Sequence, residues 1–297
     1  MMRTVVTARG IRQVPERNAA RPEMRSPLTT GRRPRLDREE LRSLLIDAGR
    51  AILREEGLGA GGGTLTFKRA RERVEIDAGI HVTNASIIGR LWENQFEYQT
   101  EVLETFASDD SMSEIAATVR GVEPALLAMD PRSEVSRERT MREVCRLSAA
   151  ANMSALSRST DWQLWIGIWA ITAVGAAPER QRRIELALEK AYRAVTEHME
   201  AVYRAGMDFV GYRVRTGVTV RQFTIAVAAL AEGCVLRNRV DAGHMNGIMR
   251  PTGPGGEQQE WTLFGLALEA LAHEFFELDP DWAPAAQGAS VSTVLDA

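Results

Sequence analysis

The sequence predicts an all-α fold, with an N-terminal three-helix segment of helix-turn-helix outline followed by a larger helical body. Apolar residues recur at helical spacing through residues 37–106 and again through most of 134–277. No segment of the body shows the two-residue alternation of a half-buried strand. Gly175, Gly217 and the run Pro251 to Gly256 fall between the periodic stretches, where turns belong. The 297 residues, 44% apolar and 26% charged with 24 Gly, 11 Pro and 2 Cys, suffice for one large or two modest domains. They exclude collagen-like, disulfide-scaffold and wholly disordered chains.

Residues 1–35 carry nine Arg against Glu16 and Glu23 and have no apolar periodicity, so they read as a disordered basic arm. Three origins fit it: an arm that touches DNA phosphates, a cleaved Arg-rich transit peptide, or a misassigned translation start. A secretory signal is excluded by the lack of an apolar central region. The overall charge of −3 hides an asymmetry, because residues 1–100 hold 18 Lys and Arg against 13 Asp and Glu while the rest is net −8. The arm alone is +7, so the folded part of the first hundred residues is net −2, and the positive field belongs to the arm. Thirty-five of the 37 basic residues are Arg. That skew, with abundant Ala and Gly, is what a GC-rich genome writes and is weak evidence for phosphate recognition.

Asp37 with Glu40 forms a capping box, and Leu41, Leu44, Leu45, Ala48, Ile52 and Leu53 lie on one face of a first helix that Gly57 ends. Gly57–Gly63 is a flexible loop; no strand precedes it and no G-K-[ST] follows, so it is not a P-loop. Thr64 or Thr66 caps a second helix from Phe67 to about Ile76, with Ala70 and Val74 inward and Lys68, Arg69, Arg71 and Arg73 outward. Gly79 breaks it. Thr83 then caps a third helix whose apolar positions are Ile87, Ile88, Leu91 and Trp92, leaving Asn84, Ser86 and Arg90 on another face. This outline suits DNA recognition and equally an ordinary helical hairpin.

Further helices are expected over about 134–158, 161–174, 179–212, 219–237 and 258–277, the long one opened by Pro178 and Glu179. Trp162, Trp165 and Trp169 form an aromatic stripe at i, i+3, i+7, with Met153 shortly before it. Two readings stand: a plain core stripe, or the wall of an apolar ligand pocket. The domain boundaries so read are 1–35, 36–106, 107–279 and a flexible tail over 280–297.

Cys145 and Cys234 lie in helical patterns with no CxxC or metal knuckle, which fits a reducing, cytoplasmic setting. The longest near-apolar run, Trp165 to Ala177, is shorter than the ~20 residues a bilayer span needs, so no membrane association is expected. His273 and Glu274 lack the second His of a zincin, and His81, His198 and His244 show no ligand spacing. With no Ser–His–Asp set or nucleophile elbow either, the sequence assigns no catalytic residue, metal or cofactor.

Leu41 to Gly57, Thr66, Ala78-Gly79 and Val82-Thr83-Asn84-Ala85-Ser86-Ile87 through Trp92 to Gln95 together resemble the N-terminal domain of TetR-family transcriptional regulators. Ala78-Gly79 stands for the family's A-G, Val82-Thr83 for V-S, Ala85-Ser86-Ile87 for G-T-L and Trp92 for the closing aromatic, with a fourth helix from near Asn94 to Phe106. Ala228 to Arg237 resembles the family's penultimate helix and Trp261 to Phe276 its last. Against the family pattern the second helix is a turn longer, Ile80-His81 is extra, Ile88 replaces a phosphate-contacting Tyr and Gln95 a Lys.

The resemblance implies a homodimer that binds double-stranded DNA, with recognition helices about 34–36 Å apart on a pseudopalindrome. Thr83, Asn84 and Ser86 would reach base edges, and Thr66, Lys68, Arg69, Arg90 and Asn94 phosphates, while Arg32, Arg33 and Arg35 would extend into a minor groove. It further implies a ligand-binding and dimerisation domain. Met153, Trp162, Trp165 and Trp169 are its candidates for a small hydrophobic effector. Phe223, Val227, Leu230, Phe264, Leu268, Leu271 and Phe275 on the last two helices are those for the dimer interface. An all-α interaction protein or helical enzyme without specific DNA binding is the alternative.

Overall fold

A computed structural model describes residues 36–59, 63–108, 118–130, 132–174, 178–252 and 256–283. The basic arm with Arg32, Arg33 and Arg35, the centre of the Gly-rich loop and most of the expected tail lie outside the described residues. Over those residues the chain is mostly helical, with ten α-helices and four short strands.

The first three helices form where the capping chemistry places them. Helix α1 (Arg38–Glu56) starts directly after Asp37 and ends at Gly57, whose φ is +76° and whose N–H donates to Leu53 O at 2.8 Å. Helix α2 (Phe67–Ala78) is capped by Thr66, whose hydroxyl accepts from Arg69 N, and is closed by Gly79 in the left-handed region. Helix α3 (Gln95–Ala107) is capped by Asn94. Phe67, Trp92 and Tyr98 pack ring to ring between them, with centroids 5.0–6.3 Å apart. Tyr98 is fully buried and donates its phenol to Leu45 O at 2.9 Å, tying α3 to α1 where Gly49 lets the helices approach.

The third helix expected from Thr83 is not an α-helix. Asn84–Ser86 makes a single 3-10 turn. Ile87 closes it, its N–H donating to Asn84 O at 3.0 Å, and beyond it Gly89, at φ +72°, donates its N–H forward to Trp92 O at 2.8 Å. Thr83 makes no side-chain cap, and the Ser86 hydroxyl bonds back to Thr83 O at 2.7 Å, a local alternative to helical pairing. Ile87 and Trp92 are buried as expected, but Ile88 is 49% exposed, which a continuous helical face would not allow.

The body continues through α4 (Glu123–Leu127), α5 (Glu134–Arg158), α6 (Thr160–Val174), α7 (Pro178–Val210), β1 (Tyr212–Val214), α8 (Val220–Asn238), α9 (Ala242–Met245), β2 (Ile248–Pro251), β3 (Gln258–Trp261), α10 (Leu263–Phe275) and β4 (Phe276–Leu278). The helix expected over 258–277 is therefore shorter. Thr262 caps α10 by accepting from Gly265 N, and Gln258–Trp261 pairs antiparallel with β2 instead. Trp261 is fully buried and its indole N–H donates to Thr252 Oγ1 at 2.9 Å, which anchors that hairpin. Phe276–Leu278 pairs with β1, Val214 opposite Phe276, and returns the chain to the end of α7.

Helices α5, α7, α8 and α10 enclose one apolar core that includes Met141, Phe223, Phe264, Leu268 and Phe276. Burying each such side chain contributes about 1.5–3 kcal/mol. Glu269, 6% exposed on α10, is held between Arg142 at 3.0 Å and Arg250 at 2.5 Å. Helix α6 packs against α1 and α3, and α3 against α7. Across these contacts Arg54 grips Asp161 bidentately at 2.7 and 2.8 Å, and Arg183 pairs with Glu104. Gly167 on α6 faces Leu58 so closely that a Cβ there would stand 2.5 Å from its methyl.

Candidate functional site

Two places in the fold gather the residues singled out by the sequence. The first is the turn between α2 and α3. The N-termini of the two helices are neighbours, because Phe67 N donates to Gln95 Oε1 at 3.3 Å. Each carries its own cap, Thr66 and Asn94, whose oxygens accept from Arg69 N at 3.2 Å and Glu97 N at 3.1 Å. Helix N-termini carry partial positive charge, so this juxtaposition favours an anion. Thr83, Asn84, Arg90 and Asn94 are exposed on the adjoining surface and Ser86 is half-buried.

The basic residues of α2 are less available than their number suggests. Arg69 pairs with Glu56 and also donates to Thr64 O. Arg73 bonds Glu55 and Asp77, each at 2.6 Å, and Lys68 stands 3.9 Å from Glu72. Arg71 donates to Asn84 Oδ1 at 2.7 Å and so orients the side chain best suited to read a base edge. The Arg90 guanidinium forms no ion pair among the described residues, and Lys68 holds only the long contact.

The second place is a cavity of about 230 Å³ inside the body, walled by α5, α6, α7, α8 and α10 with part of the segment around Val122. Trp162 and Trp165 line it, Trp165 stacking on Tyr192 with centroids 5.5 Å apart. The other two aromatic-stripe candidates do not join them. Met153 is buried in the core without reaching the cavity, and Trp169 is 53% exposed on a separate shallow groove. The i, i+3, i+7 stripe thus splits between the cavity and the outside.

Four of the residues expected at a dimer interface, Phe223, Val227, Phe264 and Leu268, are buried within the single chain, and the last three of them line the cavity. Leu230, Leu271 and Phe275 are half-buried against the same core. Helices α8 and α10 do pack together, but their outward positions are others: Ile225, Ala229, Gly233 and Leu236 on α8, and Leu263 and Ala270 on α10.

Three polar groups at the cavity were not singled out in the sequence. Tyr192 donates its hydroxyl to Glu232 Oε1 at 2.7 Å. Burial raises the Glu232 carboxyl above its ordinary range, against the opposing pull of that hydrogen bond. Asn152 donates to Thr118 Oγ1 at 3.3 Å while its buried Oδ1 has no partner among the described residues. The available signal was a lone carboxylate in the otherwise apolar Ala228–Val235 stretch. Cys145 lies nearby in the core, its thiol pushed up to about 12 by burial and so inert as a nucleophile.

Among the described residues no three His, Cys, Asp or Glu come together as a metal site requires, and no helix is long and apolar enough to cross a membrane. No protein-family model matches the chain, and searches of curated proteins and of solved structures find no similar chain.

Proposed function

We propose that the chain is a TetR-like homodimeric transcriptional regulator, a repressor that binds a pseudopalindromic operator and is released by a small hydrophobic ligand held in the body. The observation that supports this reading most is the pairing of two capped helix N-termini, at Thr66 and Asn94, beside an exposed polar turn. That surface can hold phosphates through backbone N–H groups while Asn84 and Thr83 face the bases. Because the turn is short, base contact falls to Thr83, Asn84 and Ser86 rather than to a long recognition helix. Affinity then leans on Arg90, Lys68 and the arm.

Two copies would meet through the outward stripes of α8 and α10, with Ile225, Leu236 and Leu263 at their centre. The cavity supports ligand sensing, since Trp162 lies next to Asp161, which Arg54 of α1 grips. A ligand that favours one setting of α6 would bias the position of α1 through that contact. The pairing of the α2 cations favours a second reading, an all-α ligand-binding protein that does not engage DNA.

Fluorescence anisotropy with labelled duplex from the DNA flanking its own gene separates the two. The regulator gives a specific complex whose affinity falls steeply with added salt. Asn84→Ala relaxes sequence preference, and Arg90→Ala weakens all sequences alike. Absence of a specific complex there and in an unbiased site selection overturns the reading.

A further inference from the structure

We infer that the ligand of the body cavity is a lipophilic amine, its apolar part filling the space between α5, α7 and α8 and its ammonium group lodged at Glu232 beside the Trp165–Tyr192 ring pair. This rests on the ligand-sensing half of the proposed function and is independent of DNA binding.

Size and lining fix the apolar part. An apolar space of about 150 Å³ is already enough for benzene, and this partly open one is about 230 Å³ and walled mainly by Val, Leu, Met and aromatic side chains. The sign of the polar end follows from the ionisable groups on the wall. Glu232 is the one carboxylate among the lining residues, and no Lys, Arg or His is among them. A carboxylate or phosphate ligand would meet like charge and no counter-ion, at a cost that a low-dielectric setting magnifies.

Glu232 has no cationic partner among the described residues, and Tyr192 supplies one hydrogen bond to one of its oxygens. A half-buried carboxylate on an apolar wall is costly when left so, and an ammonium group is the partner that offsets the cost. The stacked faces of Trp165 and Tyr192 add attraction for a cation that a neutral head group does not receive. Asn152 Oδ1, without a partner among the described residues, offers a second acceptor to a polyfunctional ligand.

The test uses the full chain without DNA and three probes of equal chain length, n-decylamine, 1-decanol and decanoate, each titrated at neutral pH against the fluorescence of Trp162 and Trp165. Decylamine is expected to bind at least about tenfold more tightly than decanol, from ion pairing and cation–π attraction together, and decanoate most weakly. Glu232→Gln should bring decylamine to the level of decanol and leave decanol unchanged. Ala228→Trp, which fills the cavity, should weaken both decylamine and decanol.

Decanoate binding as well as decylamine overturns the inference, and so does an amine preference that survives Glu232→Gln. Failure of all three probes to saturate also overturns it. The wild-type ranking needs no variant, so it decides the matter even if Glu232→Gln does not fold. Operator binding measured separately shows whether the DNA reading stands or falls on its own.

Discussion

Gly49→Ala tests how α1 and α3 are held together. Glycine in mid-helix is unfavourable, so on helix propensity alone the substitution should stabilise the protein by about 1 kcal/mol. The packing says otherwise. A Cβ at this position would stand 2.6 Å from Tyr98 Oη and 2.8 and 3.1 Å from the two Val102 methyls. Val102 is fully buried and β-branched, and the Tyr98 phenol is fixed by its bond to Leu45 O, so neither can swing aside.

The new methyl must therefore push α3 away or break that bond. Overpacking costs about 1–3 kcal/mol, and a buried hydroxyl losing its partner costs a further ~1–3 kcal/mol. Set against the propensity gain, the net is a destabilisation of about 1–5 kcal/mol. Urea unfolding followed by circular dichroism measures it. Val102→Ala, which removes both clashing methyls, should make Gly49→Ala less costly than it is in the parent. The cycle should show a coupling of about 1 kcal/mol or more. A Gly49→Ala protein more stable than the parent would refute the reasoning, because propensity would then outweigh the contact.

The Arg54 hydrogen bonds hold the Asp161 carboxyl below its usual range. The stabilisation from this pair is therefore complete above the ordinary carboxylate pKa and is lost as pH falls through the lowered value. With both side chains about two-fifths exposed, the gap between parent and Asp161→Asn should stay below about 1 kcal/mol at neutral pH and vanish in acid; a gap that grows in acid would contradict it. Glu269→Ala strands Arg142 and Arg250 and should cost about 1–3 kcal/mol in a thermal melt, the arginines keeping part of their hydration. Leu236→Glu, on the outward stripe of α8, should yield folded monomer in light scattering, whereas Leu268→Glu should unfold the chain because that side chain is core. A folded Leu268→Glu monomer would instead restore Leu268 to the interface.

The parts of the fold legible in the sequence are those written in local chemistry. Thr66, Gly79, Asn94 and Pro178 each mark a helix end through a cap or a missing donor that acts within one turn, and the observed bounds fall on them. The stretch after Thr83 misleads because Ile87, Ile88, Leu91 and Trp92 have helical spacing while Gly89 lies among them. The spacing describes which residues approach the core, not the backbone path that takes them there. Strands of three or four residues are too short to display alternation, and β1 pairs with a segment more than sixty positions away.

Apolar periodicity on α8 and α10 identified buried faces correctly. It could not say whether the burial is against the same chain or another, which is why Phe223 and Leu268 were expected at an interface. The cavity's polar groups were invisible for a similar reason. Tyr192 and Glu232 are 40 residues apart, and Arg54 and Asp161 107 apart, so pairing depends on the packed fold.

Helix α6 serves as a party wall. Trp162 and Trp165 furnish one side, while Asp161 and Gly167 furnish the side that abuts α1 and Leu58. Packed interiors yield little to compression, so a change in what occupies one compartment is handed on as movement of the partition. Gly167 leaves no side chain to cushion it against Leu58. Substitutions on this helix should thus carry double consequences, and a residue chosen to reshape the cavity will be judged as well by the neighbour it backs onto.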